Sequence, residues 1–304
     1  MNYTTNINYY KIMKKVLTFV LVALFTVSGV FAQTSWKSAR HSINWGIGGN
    51  ISETDICPYD GFMPTFKTIN GSAQFGYEYR LGERFSFRAN FLLSRLQGYD
   101  ADADYGDFKW IYDEKKNPNG RRLNFRTWVF DINAMLNFFF IKPKDITRES
   151  SFGKKWAGYF TVGIGGAFYN PKFALRTSKD QNVWVNARPL EAEGRFYNTA
   201  TWTLPYGLGF RYHVSKKFYW GVELLQHYCF TDYIDNLTSN KIISSKESGV
   251  VKEIQDKVKG NYADGKRRGG KGDHNDQYTT FMITFGHTFT PCGIKHVARP
   301  KYLN

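Results

Sequence analysis

Apolar and polar residues alternate with period two in eight separate stretches of this chain. In "YTTFMITFGHTF", Phe281, Ile283, Phe285 and Phe289 share one face, while Thr280, Met282, Thr284, Gly286 and Thr288 share the other. Successive side chains of a strand point to opposite sides, so this pattern predicts a strand with one aromatic, apolar face and one small or polar face. "TWTLPYGLGFRYHV" and "KFYWGVELLQHYCF" repeat it on either side of a tight turn from Ser215 to Lys217. "SAQFGYEYRL" and "RFSFRANFLL" form a second hairpin through Gly82 and Glu83. "SINWGIGGNI", with Ile43, Trp45, Ile47 and Ile51 on its apolar face, "NFRTWVFDINAMLNFFF" and "WAGYFTVGIGGAFYN" complete the set.

Two architectures hold eight such strands: a soluble barrel or sandwich with its apolar face inward, and a membrane barrel with that face outward. The connections favour the second. Counted from the first strand, those after Ile51, Gln97, Asn170 and Phe230 are long, while the second and sixth are tight. Membrane barrels have short turns at the periplasmic end and long loops outside. The expected fold is therefore all-β, a transmembrane antiparallel up-and-down β-barrel of eight strands with long extracellular loops. A lipocalin-like soluble barrel is the competing reading, and it would expose the Trp-, Phe- and Tyr-rich face to water. Glu78, Arg80, Arg88, Asp131, Arg211 and Glu223 fall on the opposite, lumenal face. The interior of so small a barrel only has room for side chains, and buried charges must be paired, so these six predict an ion-pair network.

The ends carry different signals. Lys14 and Lys15 precede the apolar run "VLTFVLVALFTV" and then "VFAQ", the pattern of a secretory signal peptide starting from Met13 and cut after Ala32. The expected organisation is a signal over 1–32, a barrel over 33–290 and a periplasmic tail over 291–304. Removing Lys11, Lys14 and Lys15 lowers the net charge from +15 to +12, which in an exported protein suits anionic lipid, lipopolysaccharide or an acidic protein rather than nucleic acid. Cys57, Cys229 and Cys292 are odd in number and lack metal-ligand spacing. Free, mostly buried thiols are expected, with Cys57–Cys229 as the alternative pairing.

"ERFSFRANFLLSRLQGYD", "LNFRTWVFDINAMLNFFF", "GIGGAFYNPKFAL", "ARPLEAEG", "LPYGLGFRYHVSKKFYWGVEL" and "FTDYIDNLTSN" occur in that order, followed by "RRGGKGDHNDQY". Together they resemble the PorG-like family, eight-stranded outer-membrane barrels of Bacteroidota. The resemblance covers nearly all of the mature chain; its most specific pieces are the loop motifs "FYNPK", "PLEAEG" and "FTDYID", which no barrel requires. It implies a non-enzymatic scaffold or anchor of the type IX protein secretion system, in some relatives tied to gliding motility. The implied partners are periplasmic ring proteins, PorK- and PorN-like. Lys295, His296, Arg299 and Lys301 of the tail are candidate contacts to such a partner; a solubilising tail is the plainer alternative. Two other functions stand beside the scaffold: a surface barrel binding ligand or host molecules through its loops, and a small lipid-modifying barrel enzyme.

Other constellations point less clearly to chemistry. "GKRRGGKG", Gly265 to Gly272, lacks the terminal hydroxyl and the strand–helix setting of a phosphate-binding loop, and reads as a basic loop that meets lipopolysaccharide at most. "GIGG" occurs twice inside strands, its glycines mainly facing the lumen, where small residues make room for long charged neighbours, and implies no cofactor. His213, His227 and Glu223 share the lumenal face without a Ser–His–acid set at one depth. Asp232 and Asp235 lie just past the seventh strand, where bonding to turn backbones and an exposed recognition role are both open. Val251, Ile254 and Val258 have helical spacing within the last loop. Asp100, Asp102, Asp104 and Asp107 suggest calcium, but Tyr105 and Ile111 stand where an EF-hand loop has Gly and Glu, so at most a loosely held cation is expected and no metal site.

Overall fold

A computed structural model describes residues 40–54, 56, 69–81, 84–99, 124–141, 156–178, 181–190, 197–215, 217–236 and 275–289. The barrel strands are β1 (His41–Glu53), β2 (Asn70–Arg80), β3 (Phe85–Tyr99), β4 (Asn124–Ile141), β5 (Trp156–Tyr169), β8 (Ala200–His213), β9 (Phe218–Cys229) and β10 (Gln277–Phe289). A hairpin of β6 (Lys172–Ser178) and β7 (Gln181–Asn186) rises between β5 and β8. Each barrel strand pairs antiparallel with its neighbour, β10 returns to β1, and β3 pairs with β4, so the ring closes. Closure leaves the eight-strand ring without a free edge, which is how strands satisfy their backbone groups in lipid.

The tight connections sit at one end. Leu81 N donates to Phe85 O at 3.0 Å in one turn and Val214 N to Phe218 O at 3.0 Å in another. Ser215 Oγ there accepts from Phe218 N at 3.0 Å. The longer connections leave from the opposite end, where β3 and β4 outrun their other partners and β4 picks up β6 through Phe125↔Phe173 and Arg126↔Lys172.

The outer face is an apolar belt. Trp202 is 67% exposed, Ile47 65% and Ile164 59%, with Trp128, Phe75, Phe160 and Leu224 also open. From Trp128 to Phe140, at about 3.4 Å per residue and a tilt of about 40°, the belt on β4 covers roughly 31 Å, close to a bilayer's hydrocarbon core. Aromatic pairs thicken its short-turn margin: Phe140–Phe160 at 4.9 Å, Trp156–Tyr212 at 4.8 Å and Phe85–Phe138 at 5.3 Å. Apolar surface of this extent is tolerated only where lipid covers it, and no described helix is long and apolar enough to cross a bilayer. The chain is a transmembrane β-barrel.

Two features differ from the sequence reading. The β6–β7 hairpin is additional, and Ile51, expected outside, is buried at the upper end of β1, beyond the last β1–β2 pair at Asn50↔Asn70. The expected signal over 1–32 and the expected tail over 291–304, with Lys295, His296, Arg299 and Lys301, lie outside the described residues. So do Cys57, Cys292, Asp100, Asp102, Asp104, Asp107, "GKRRGGKG", and the Val251, Ile254 and Val258 segment.

Candidate functional site

The lumenal residues come from alternate positions of all eight barrel strands, and they stratify by depth. Nearest the short turns, Arg211 on β8 meets Glu78 on β2, with Nη2–Oε2 at 2.7 Å and Nη1–Oε1 at 3.0 Å. The guanidinium also lies over the rings of Tyr159 at 4.4 Å, Tyr219 at 4.8 Å and Phe139 at 5.6 Å. Three aromatic faces and a carboxylate replace the water that the cation gave up.

One step higher, Glu223 on β9 accepts from Arg88 Nη1, from Tyr159 OH and, at 2.8 Å, from Gln74 Nε2. Arg88 is 1% exposed, so this charge is removed from solvent. Glycines make the space. A Cβ at Gly209 would meet the Tyr159 ring at 2.2 Å, and one at Gly286 would meet the Tyr219 ring at 2.0 Å. The glycines therefore make room for tyrosines, and those of the two GIGG stretches for Gln74, Met135 and Asn133, rather than for the long charged side chains expected from the sequence.

Higher again, Asp131 on β4 gathers three groups. Its Oδ2 lies 3.1 Å from His227 Nδ1 and accepts from Tyr278 OH at 2.8 Å; its Oδ1 accepts from Thr203 Oγ1 at 3.0 Å. Tyr278 stacks on His227 with centroids 4.4 Å apart, and His227 Nε2 lies 3.4 Å from Thr280 Oγ1. An acid, an imidazole and a hydroxyl are thus in sequence, but Asp131, His227 and Thr280 are all fully buried. The arrangement is a hydrogen-bonded tie that links β4, β9 and β10.

Of the six charges singled out from the sequence, four form two ion pairs: Arg88 with Glu223 and Arg211 with Glu78. Asp131 instead faces His227, and Arg80 is half-buried at the end of β2, outside those two pairs. His213 lies near the Tyr219 ring, at 5.4 Å, rather than near His227. The sequence reading missed Tyr159, Tyr219 and Tyr278 as lumenal partners. All three lie at positions of lumenal parity, which was the available signal.

An apolar cluster shares the lumen with these polar groups. Leu92, the strand partner of Asp131 and Gln74, and Met282, the partner of Glu223, belong to it with Leu96, Val129 and Phe125, and Ile56, Ile234 and Phe173 extend it to the long-loop mouth. Asp235 Oδ2 accepts from Ile56 N at 2.8 Å, tying the first and last long connections together, and Asp276 Oδ2 accepts from Ile234 N at 2.8 Å within the last one. Tyr197 stacks on Tyr233 at 4.5 Å and 8°, and burial pushes its phenol well above the ordinary value. Cys229 is a free, buried thiol in the same cluster. Among the described residues no group of three His, Cys, Asp or Glu side chains is placed to hold a metal.

No protein-family model and no curated protein matches the chain. Solved structures to which it is similar are outer-membrane proteins. Neisserial surface protein A matches at 8% identity and TM-score 0.38, over 83% of this chain and 99% of that one. OprG of Pseudomonas aeruginosa matches at 11% and 0.39, over 85% and 100%. The attachment invasion locus protein Ail of Yersinia pestis matches at 12% and 0.35, over 83% and 99%. The barrel assignment itself stands on the closed strand pairing and the exposed apolar belt. With both in place, the chain is a multi-pass β-barrel of the outer membrane.

Proposed function

We propose that this barrel is a non-enzymatic scaffold or anchor in the outer membrane, and specifically a PorG-like accessory of type IX secretion with PorK- and PorN-like ring proteins beneath it. The observation that carries the non-enzymatic part is the packed lumen. Four of its charges pair with one another, its acid–imidazole–hydroxyl tie is buried, and an apolar cluster packs beside them and on toward the mouth. A barrel built this way has its working surfaces at its ends and on its belt. The loop motifs "FYNPK", "PLEAEG" and "FTDYID" support the secretion assignment, and the tail cations Lys295, His296, Arg299 and Lys301 supply a basic contact for a periplasmic partner.

Affinity purification after mild detergent extraction tests this reading. Periplasmic ring components co-purify with the full mature chain and are lost when residues 291–304 are deleted. Secretion that fails in a null strain while every ring component stays bound to its neighbours contradicts it. A second reading, recognition by the long-loop end, draws on the Asp235–Ile56 tie that holds two loops in register. It predicts loss of surface binding, with secretion intact, on deleting residues 237–274.

A further inference from the structure

One group of cations lies outside the lumen. Arg95 on β3, Arg126 on β4 and Lys172 on β6 all carry outward parity and are half-buried at the long-loop margin of the belt. Their heights follow from the register. Leu93 pairs with Phe130 inside the belt, Arg95 with Trp128 at its upper edge, Gln97 with Arg126 one pair above, and Arg126 with Lys172 across the next strand. Diagonal neighbours on one face of an antiparallel pair are about 7 Å apart, so Arg95 and Arg126 address the same ligand. Trp128, 57% exposed, marks the lipid interface immediately below them.

The patch is partly held in shape. The Arg126 guanidinium lies over the Trp184 ring of the β6–β7 hairpin at 4.0 Å, which fixes its plane and leaves its N–H edge for a ligand. Arg95 Nη2 donates to Gln97 Oε1 at 3.4 Å. Among the described residues no carboxylate bonds either guanidinium, in contrast to Arg88 and Arg211. Like charges placed together with no carboxylate among the described residues between them favour an anion, and the anion available at the height of the lipid interface is a headgroup phosphate. Arginine suits it because its fork of donors matches phosphate oxygens.

We propose that Arg95, Arg126 and Lys172 form a binding site for a phosphorylated lipid of the outer leaflet, whose acyl chains lie on the adjoining belt and whose phosphate bridges the two guanidiniums. The site is independent of any role in secretion, so either assignment can fail alone.

Native mass spectrometry of the full mature protein, released from detergent with bis-phosphorylated lipid A or its dephosphorylated form, tests the site. The wild-type barrel retains the phosphorylated form at least about tenfold better. Each lost cation near a charged lipid surface weakens retention roughly fivefold, so Arg95→Gln with Arg126→Gln and Lys172→Gln brings the preference to about one. Trp184→Leu, which leaves every charge in place, lowers it partly by freeing Arg126. Heat-modifiable gel mobility reports whether each variant folds, and the single Arg95→Gln serves if the triple does not. A wild-type protein without preference overturns the proposal. So does a triple variant that keeps the preference, or its loss only on neutralising Lys266, Arg267, Arg268 and Lys271.

Discussion

Arg211 and Glu78 meet at 2.7 Å across the barrel, on strands that stand four places apart in the closed ring. Arg88 and Glu223 are related in the same way, through β3 and β9, and Tyr278 reaches Asp131 from β10 to β4. The polar lumen is therefore a stack of cross-braces between opposite walls.

Removing one end of a brace leaves its partner charged and dry. Glu78→Leu is expected to lower stability by about 3–5 kcal/mol, whereas Glu78→Leu with Arg211→Met costs much less than the sum of the single changes. Urea unfolding in lipid, followed by gel mobility, measures both. Additive losses would show that the pair is not coupled.

The glycine cradles predict a size limit. Gly286→Ala places a Cβ 2.0 Å from the Tyr219 ring and is expected to cost about 1–3 kcal/mol. Tyr219→Leu in the same chain relieves the clash and restores part of the loss, read by the same unfolding assay.

At the mouth, Asp235→Ala removes the acceptor of the Ile56 amide, leaving a buried N–H unpaired at about 1–3 kcal/mol. Limited trypsin digestion of the folded barrel is expected to become faster, with Asp235→Asn milder because it keeps an acceptor oxygen. Equal cleavage rates for wild type and Asp235→Ala would argue against the tie.

Depth in the membrane can be read on one strand. Ile132→Arg, at mid-belt on β4, is expected to cost about 2–4 kcal/mol, and Trp128→Arg, at the interface, about 0–1. Refolding yield into vesicles compares the two. A protein that stays soluble without detergent would contradict a lipid-facing belt altogether.

The barrel was legible in the chain because strand parity is a local property. Residues such as Phe281, Ile283 and Phe285 declare one face, and closure follows once eight such strands have no polar outer surface to offer water. The β6–β7 hairpin escaped because its strands are short and stand above the belt, where neither face must be uniformly apolar. Parity also assigned Glu78, Arg88, Asp131, Arg211 and Glu223 to the lumen, since a charge on the lipid side is costly. It could not say which partner each would take. That depends on strand stagger and on which walls face one another, quantities that exist only after closure. Thus Asp131 found His227, Tyr278 and Thr203 rather than an arginine, tyrosines entered the spaces beside glycines, and inward leucines joined an apolar cluster that shares the lumen with the charges. By itself the sequence determined the face of the side chains along the belt; the tertiary structure decided what each one meets, because the braces join residues distant in sequence on opposite sides of a closed ring.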